Sequence, residues 1–448
     1  MKQLITSFLL TFLTACQSEQ TSTIELPYQL VEGYGPFKPS FAVLAAERTD
    51  GSSSWAKTYK SIVGIPKNWR NVKKSIVWLD AYQFAYQNAL AGNLSPEHYK
   101  SVQSDWQWTP DEKKQSKAPI KCFVYVIRGV DEEGKWAVMV DTDSDLDFGD
   151  EKAFYPETMR PDGTSLSYKN PQIITYESYQ RGKVVAARAP MVIKQMGDEF
   201  VYNFPQHAKV ALTIRGKLHE ISVAQDRLTG LDFGNAQLIE TTELDSKKQV
   251  NDSELIGYDE IVWVGGTLLG KKYKNKGVDL YNGVLRLEGI APDATTYSKQ
   301  IGYFWEPFQG KEFSTGKPLS LADLRGKYVY LDFWGTWCGG CVEDIPELKE
   351  MYENLDKNKF EFIGIAEDSP EKLRAFIKKK DLKWPQILSD SSNKLIEKYH
   401  ISGFPTTFLL DPTGKVIARD LRGDDLKKKL SELSKKSNLR RSSDKIRR

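Results

Sequence analysis

The fold is decided by residues 328–341, which read YVYLDFWGTWCGGC. The first half of this stretch is a nearly continuous apolar run, which is typical of a strand covered on both faces of a sheet. Directly after the run, Cys338 and Cys341 are separated by two residues at the predicted start of a helix over residues 339–355. Two cysteines with this spacing at a strand-to-helix junction indicate a redox pair.

The position of Cys338 at the helix N-terminus predicts its reactivity. Free backbone N–H groups and the positive end of the helix dipole stabilise a thiolate there. Cys341 lies one turn later on the same face, close enough for the two sulfur atoms to form a disulfide. Half of a zinc site is the less favoured interpretation, because a structural zinc ion needs four ligands. The other possible ligands are scattered along the chain: Cys122, His98, His207, His219 and His400.

Outward from this stretch, strands and helices alternate over residues 301–436. The predicted elements are a strand at 328–334, a helix at 339–355, a strand at 360–366, helices at 370–380 and 391–400, strands at 407–410 and 416–419, and a helix at 424–433. Alternating strands and helices followed by an antiparallel pair and a helix form the element order of the thioredoxin fold. We therefore predict an α/β thioredoxin fold for this part of the chain.

Three stretches of this region resemble the TlpA/ResA-like branch of the thioredoxin superfamily. They are LADLRGK at 321–327, DFWGTWC at 332–338 and GFPTTFLLD at 403–411. The resemblance covers less than a third of the chain. It implies a thioredoxin fold and a thiol-disulfide oxidoreductase activity for the domain that contains the three stretches.

The same resemblance implies a role for each residue of the site. Cys338 is the attacking thiol, Cys341 the resolving thiol, and Pro405 a cis-proline that faces the pair. Trp337 directly precedes the pair and is counted with the site. Asp344 would tune the thiols, and its alternative is an exposed acid in the first turn of the helix.

One departure from the family concerns Gly340, because relatives usually have proline directly before the second cysteine. The loss of proline loosens the first helical turn and should shift the reduction potential. We expect reduction of disulfides in envelope proteins, with a thiol electron donor and no required cofactor. Peroxide reduction is a weaker hypothesis, because the active-site pattern of thioredoxin-fold peroxidases is absent. The rival hypothesis is a binding or scaffold lipoprotein with an auxiliary thioredoxin domain.

The first 15 residues have the pattern of a signal peptide, with Lys2 before an apolar run over residues 4–13. Such a run is too short to span a bilayer as a mature helix. Its end, LTAC at 13–16, resembles the bacterial lipoprotein box, which implies that Cys16 is lipidated and becomes the new N-terminus. Residues 16–23 would then be a tether, and the protein would be anchored by lipid in the bacterial cell envelope. An ordinary signal peptide is the alternative.

Residues 24–292 have a different sequence pattern, in which short strand-like runs are separated by turn residues. The runs 210–214 and 218–223 around Arg215-Gly216-Lys217 predict a hairpin. We expect a mostly β region of one or two domains and recognise no family across it. Cys122 in this region is expected to be a buried apolar side chain, with a third redox thiol as the alternative.

An acidic segment at residues 141–151 is the second chemical feature of the chain. Asp141, Asp143, Asp145 and Asp147 alternate with other residues, and alternate acids are how calcium loops collect oxygen ligands. Neither the turn glycine nor the final glutamate of an EF-hand is present at its usual position. A calcium-type loop and a solvated acidic turn both stay open.

Length and net charge limit the number of domains and the functional classes that remain. A chain of 448 residues suits two or three domains. Its 63 basic and 60 acidic residues give a net charge of +3, which is too low for a general nucleic-acid binder, so no nucleic acid is expected as a partner. The basic tail at 437–448 is expected to be a disordered, solvated extension, with contact to anionic lipid as its alternative.

Overall fold

The structure, a computed structural model, describes residues 23–446 apart from short gaps. The gaps are at residues 49, 107, 160–169, 215, 226–227, 234–235, 242–249, 251–253, 264–271, 292–294 and 402. The predicted signal peptide and Cys16 lie outside the described residues. Thr23, the last residue of the predicted tether, is already the first residue of a strand.

Strands dominate the N-terminal region, as predicted. They are β1 (Thr23–Glu32), β2 (Ala42–Val43), β3 (Arg70–Trp78), β4 (Phe123–Val130), β5 (Trp136–Val140), β6 (Glu157–Thr158), β7 (Gln172–Gln180), β8 (Lys183–Met196), β9 (Glu199–Asn203), β10 (Gln206–Ile214), β11 (Lys217–Ala224), β12 (Gln237–Glu240), β13 (Ile261–Trp263), β14 (Lys272–Asp279) and β15 (Val284–Gly289). The helices of this region are α1 (Ala81–Leu90) and α2 (Pro96–Asp105).

Seven antiparallel strands form one sheet in the order β12-β11-β10-β1-β15-β14-β13. Strand β1 pairs with β10 on one side and with β15 on the other. Leu238 of the edge strand β12 forms a bridge with Ile256, whose carbonyl accepts a hydrogen bond from Asn275 of β14, the strand next to the opposite edge. The sheet therefore curls around its own apolar core.

Residues 42–203 form a second unit, inserted in the chain between β1 and β10. It contains the sheet β3-β4-β5 and the sheet β2-β9-β8-β6, with β7 also paired to β8. Apolar side chains of the two sheets share one core, which includes Val126 of β4 and Met191 of β8. The N-terminal region thus holds two units, which is one of the two options that the sequence left open.

The C-terminal region has the predicted thioredoxin fold. Its strands are β16 (Gln309–Lys311), β17 (Pro318–Ser320), β18 (Tyr328–Trp334), β19 (Phe360–Ala366), β20 (Gln386–Leu388), β21 (Thr406–Leu410) and β22 (Val416–Arg419), and its helices are α3 (Gly339–Asn354), α4 (Pro370–Lys380), α5 (Leu395–Lys398) and α6 (Gly423–Ile446). The sheet has the order β20-β19-β18-β21-β22, with β18 parallel to β19 and antiparallel to β21. We call residues 301–436 the thioredoxin domain.

Alternate residues of the central strand β18 pack into two core clusters, one on each face of the sheet. Trp334 belongs to the cluster that also contains Cys338 and Cys341, and Phe333 belongs to the other. This double coverage explains the continuous apolar sequence of the strand. Because side chains alternate along a strand, Asp332 lies on the face of Trp334, which is the face of the two cysteines.

Three details of this region differ from the sequence prediction. The helix expected over residues 391–400 shrinks to α5, because the Asp390 carboxylate accepts a hydrogen bond from the Ser392 N–H and forms a turn there. The short strands β16, β17 and β20 have no counterpart in the prediction. Helix α6 continues to Ile446, so the segment expected to be a disordered tail is largely helical.

The thioredoxin domain packs against the seven-stranded sheet through polar contacts. Arg419 of β22 forms an ion pair with buried Glu260, with 3.0 Å between Nη1 and Oε1. Trp263 Nε1 of β13 donates a hydrogen bond to the Tyr303 hydroxyl at 2.7 Å. These contacts fix one face of the domain on the β-rich region.

Candidate active site

Cys338 occupies the N-cap position of helix α3, directly after the loop that follows β18. Its backbone is extended, and its Sγ accepts a hydrogen bond from the Cys341 N–H at 3.2 Å. An N-cap side chain normally uses oxygen to satisfy one of the free N–H groups of the first turn. Here sulfur has that place, and the same N–H would stabilise a Cys338 thiolate.

Cys338 and Cys341 are joined by a disulfide bond in the structure. The exposed fraction of Cys338 is 8%, and that of Cys341 is 4%. Both side chains belong to the core cluster on one face of β18. The structure therefore brings the predicted redox pair together and leaves Cys338 slightly more accessible than its partner.

A cis peptide bond precedes Pro405, at the position predicted from the family resemblance. A Cβ atom at Gly340 would stand 4.0 Å from Pro405 Cδ, which places this proline against the redox loop. The indole of Trp337 is 61% exposed and packs edge-to-face on Phe404, with 5.3 Å between ring centroids. Its Nε1 donates a hydrogen bond to the Glu367 carbonyl at 3.0 Å. An aromatic surface thus borders the disulfide.

Asp344 lies in the first turns of α3, and its carboxylate pairs with Arg422 at a distance of 2.5 Å from Nε. The same guanidinium donates from Nη2 to the Gly340 carbonyl at 3.0 Å. Arg422 thereby connects the loop between the two cysteines to the acid that follows them. The predicted tuning role of Asp344 stays a prediction, but the side chain is held by a partner and does not extend freely into water.

Asp332 is a buried carboxyl on the cysteine side of the sheet and was not among the predicted site residues. Its pKa is raised to about 7, mainly by burial and then by the Asp344 carboxylate, while the Arg422 guanidinium opposes the rise. A single carboxylate in an apolar strand was a signal that could have identified it. Arg422 had no such signal, because it lies far along the chain from both of its partners.

Comparison with known proteins agrees with this geometry. The AhpC/TSA family model matches residues 302–419. The thiol-disulfide oxidoreductase ResA of Bacillus thuringiensis subsp. konkukian is 37% identical over 122 residues, which are 27% of this chain and 69% of the relative. The chain belongs to the ResA-like family of thiol-disulfide oxidoreductases.

Other similar proteins are also named thiol-disulfide oxidoreductases. A ResA of Bacillus cereus is 38% identical over 116 residues, which are 26% of this chain and 66% of the relative. The solved thioredoxin domain of a thiol-disulfide oxidoreductase from Bacteroides vulgatus is 32% identical and covers 30% of this chain and 99% of its own, with a TM-score of 0.29. The recognition made from three sequence stretches is confirmed, and this protein is a thiol-disulfide oxidoreductase.

The acidic segment forms a compact loop after β5. Carboxylate oxygens of Asp141, Asp143 and Asp145 lie within 4.8 Å of one another. Asp147 stands outside this group, and its Oδ1 accepts a hydrogen bond from the Gly149 N–H. Three of the four predicted ligands could therefore share a cation, with carboxylate oxygens of the kind that calcium prefers.

Asp141 is the buried member of this loop. It accepts hydrogen bonds from the backbone N–H groups of Asp145 and Leu146. Burial raises its pKa to about 6 even though these hydrogen bonds lower it, and neighbouring carboxylates add to the rise. The loop is thus partly buried, which is more than a solvated acidic turn requires.

Cys122 is fully buried directly before β4, in the predicted apolar surroundings. Burial raises the pKa of its thiol well above the usual value, and the Asp80 carboxylate adds to the rise. These surroundings favour the expected buried side chain over a third redox thiol.

Among the described residues, no helix is long and apolar enough to cross a membrane.

Proposed function

We propose that this protein reduces disulfide bonds in proteins of the bacterial cell envelope, to which a lipid on Cys16 anchors it. The observation that supports the reaction is the position of Cys338, whose sulfur accepts an N–H hydrogen bond at the start of α3 beside exposed Trp337. The lipoprotein-like sequence at 13–16 supports the location.

The reaction proceeds by two thiol–disulfide exchanges. The Cys338 thiolate attacks one sulfur of the substrate disulfide, forms a mixed disulfide and displaces the other substrate sulfur as a thiolate. The Cys341 thiolate then attacks Cys338 Sγ, which forms the Cys338–Cys341 disulfide and releases the second substrate thiol. The substrate gains two electrons and two protons, and an external dithiol donor returns the pair to its reduced form.

Buried Asp332 is the group of this site that can hold or release a proton near neutral pH. Its carboxyl lies on the cysteine side of β18, and its pKa is raised to about 7 by burial. Such a group can take up the Cys341 proton as that thiol becomes the second nucleophile. Arg422 and Asp344 hold the neighbouring loop in place.

An insulin-disulfide reduction assay with dithiothreitol tests the reaction. The protein should accelerate precipitation of the insulin B chain, and Cys338→Ser should abolish the acceleration. Equilibration with glutathione buffers gives the direction, since a reductase should have a potential near that of thioredoxin, about −270 mV, rather than near the −120 mV of a strong oxidant such as DsbA. A rate equal to that of dithiothreitol alone would contradict the proposal.

Fractionation of cells tests the anchor separately. Wild-type protein should sediment with membranes and carry the mass of a lipid on Cys16. Cys16→Ala should leave the membrane fraction, whereas Ser18→Ala, two residues away, should stay in it. Unchanged membrane association and mass in Cys16→Ala would contradict the anchoring.

A further inference from the structure

A cavity of about 600 Å³ opens along β3, an edge strand of the three-stranded sheet. This volume is typical of ligand sites in proteins. Its walls include residues 76–78 of β3 and residues 43–48, which begin in β2. The aromatic side chains of Trp55, Tyr59 and Tyr202 complete the wall. The cavity lies between the inserted unit and the chain after β11, of which Gln225, Gly230 and Asp232 form part of the wall, and it shares no residue with the redox site.

The edge of β3 beside this cavity presents free backbone groups. Strand β3 pairs only with β4, and the Lys74 carbonyl points away from β4 because it accepts a hydrogen bond from the Glu47 N–H at 2.8 Å. Backbone groups of alternate residues point to the same side of a strand, so those of Ile76 and Trp78 point away from β4 as well. With the described residues, neither forms a backbone hydrogen bond on that side.

Side chains of the cavity wall add further unused hydrogen-bonding groups. Three of them hold a buried polar atom that has no partner among the described residues: Glu47 Oε1, Trp78 Nε1 and Gln225 Oε1. A buried polar group without a partner is energetically unfavourable, because it has lost its hydrogen bonds to water. Two acceptors and one donor beside a strand edge match the N–H and C=O groups of an added peptide chain.

Charge indicates which side chains that peptide carries. Glu47 and Asp232 place two carboxylates in the cavity wall, against the single guanidinium of Arg48. The adjoining cavity, which shares Asp232, adds no acidic excess, because its acidic and basic side chains are equal in number. The acidic excess favours basic side chains in a ligand.

We propose that the inserted unit binds an extended polypeptide segment with basic side chains, which adds to the edge of β3 as a further strand. Strand addition draws affinity from main-chain hydrogen bonds and specificity from the pockets that receive alternate side chains. The aromatic wall would contact the apolar side chains of the same segment.

Neighbouring groups lead from this cavity towards the redox site. Trp55 of the cavity wall stacks on Trp106, which follows Asp105 at the end of α2, with 6.3 Å between ring centroids. Asp105 in turn lies near Glu367, whose carbonyl holds the Trp337 indole, and its charge contributes to the raised pKa of Glu367 after burial and Glu397. The further inference that the bound segment belongs to a redox substrate rests on the proposed function. The binding itself does not depend on that function.

Fluorescence anisotropy of a labelled peptide tests the binding without any turnover. The probe is a cysteine-free decapeptide of alternating valine and lysine, and its control is the same peptide with alternate N-methylated residues. N-methylation removes strand-pairing N–H groups and keeps the charge. Wild-type protein should bind the control about tenfold more weakly or worse, a difference of about 1.4 kcal/mol. Equal binding of the two peptides would overturn the proposal.

A pair of substitutions at exposed alanines tests the location. Ala46→Trp fills the cavity from its wall, and it should weaken binding of the unmodified peptide about tenfold or more. Ala91→Trp, at the far end of α1 and about 15 Å from the start of that helix, should leave binding unchanged. Unchanged binding in Ala46→Trp would place the peptide elsewhere and overturn the assignment. Loss of insulin reduction would not affect this result, because the anisotropy measurement needs no redox reaction.

Discussion

The thioredoxin domain and the β-rich region place cysteine in opposite surroundings. In the former, Cys338 caps a helix, accepts an N–H hydrogen bond at its sulfur and lies beside exposed Trp337. In the latter, Cys122 is fully buried, and burial together with Asp80 raises the pKa of its thiol. Because the two residues are of the same type and differ in surroundings, we expect the helix terminus and access to decide which cysteine is reactive.

Buried carboxyls extend this contrast between the two regions. Burial raises the pKa of Asp332 to about 7 and that of Asp141 to about 6. The Arg422 guanidinium opposes the rise at Asp332, whereas Asp143 and Asp145 add to it at Asp141. The redox site therefore includes a cation that lowers the pKa of its buried carboxyl, whereas at Asp141 the backbone N–H groups of Asp145 and Leu146 oppose the rise.

The largest expected difference in reaction rate is the one between the two thiols. In the reduced protein at pH 7, iodoacetamide should modify Cys338 about 100-fold faster than Cys122, because thiolate character and exposure both favour Cys338. Mass spectrometry of the peptides over time measures both rates. In urea the two rates should converge. Equal rates in the folded protein would remove the contrast.

The next effect is on stability and is expected from Asp332→Asn. A carboxyl whose folded-state pKa is raised binds more protons in the folded than in the unfolded state between about pH 4 and pH 7, so stability falls as pH rises through that window. The asparagine variant lacks this loss and should gain up to about 4 kcal/mol relative to wild type at pH 8 compared with pH 4. Urea unfolding at both pH values measures the difference. Exposed Asp420→Asn serves as the control, and equal behaviour of the two variants would refute the raised pKa.

Calcium should stabilise the acidic loop by about 2–3 kcal/mol at a concentration 100-fold above its Kd, since it would bind only the folded state. The unfolding temperature should rise on addition of calcium and fall again with a chelator. Asp143→Asn, which removes one of the three clustered carboxylates, should lose the effect, whereas Asp150→Asn, outside the cluster, should keep it. Absence of any shift in the wild type would leave a solvated acidic turn as the interpretation.

The smallest effect is expected from Arg422→Gln. Its ion pair with Asp344 is partly exposed, so the loss of stability should be about 1 kcal/mol. Removal of the guanidinium should also move the titration of Asp332 to higher pH, because Arg422 lowers that pKa. The control is Lys427→Gln, which breaks an exposed ion pair between α6 and Glu350 of α3. It should change neither the stability nor the titration of Asp332. A shift of the Asp332 titration in both variants, or in neither, would contradict the coupling.

The two regions also differ in how far their sequences predict their structures. Strands β18, β19 and β22 and helix α4 have the bounds that the sequence predicts, because buried parallel strands and capped helices carry strong local signals. The redox pair and Pro405 lie together as expected. The contact of Arg422 with the redox loop depends on tertiary packing and could not be predicted.

The topology of the β-rich region cannot be predicted from its sequence. Strand β1 pairs with β10 and β15, which follow it only after the whole inserted unit or even later in the chain. Antiparallel strands with one solvent-exposed face show similar local sequence patterns wherever they pair. The prediction of a mostly β region is therefore confirmed, but the strand order could not be derived from the sequence. The cavity along β3 depends on that order and was equally hidden.

Trapping of mixed disulfides tests the central claim most directly, namely that Cys338 attacks and Cys341 resolves. In Cys341→Ser, the intermediate between Cys338 and a substrate cannot be resolved, so partners should accumulate in non-reducing gels of envelope extracts. Cys338→Ser should accumulate few or none and should not reduce insulin. Partners trapped by Cys338→Ser and not by Cys341→Ser would reverse the roles and contradict the account of the helix N-terminus.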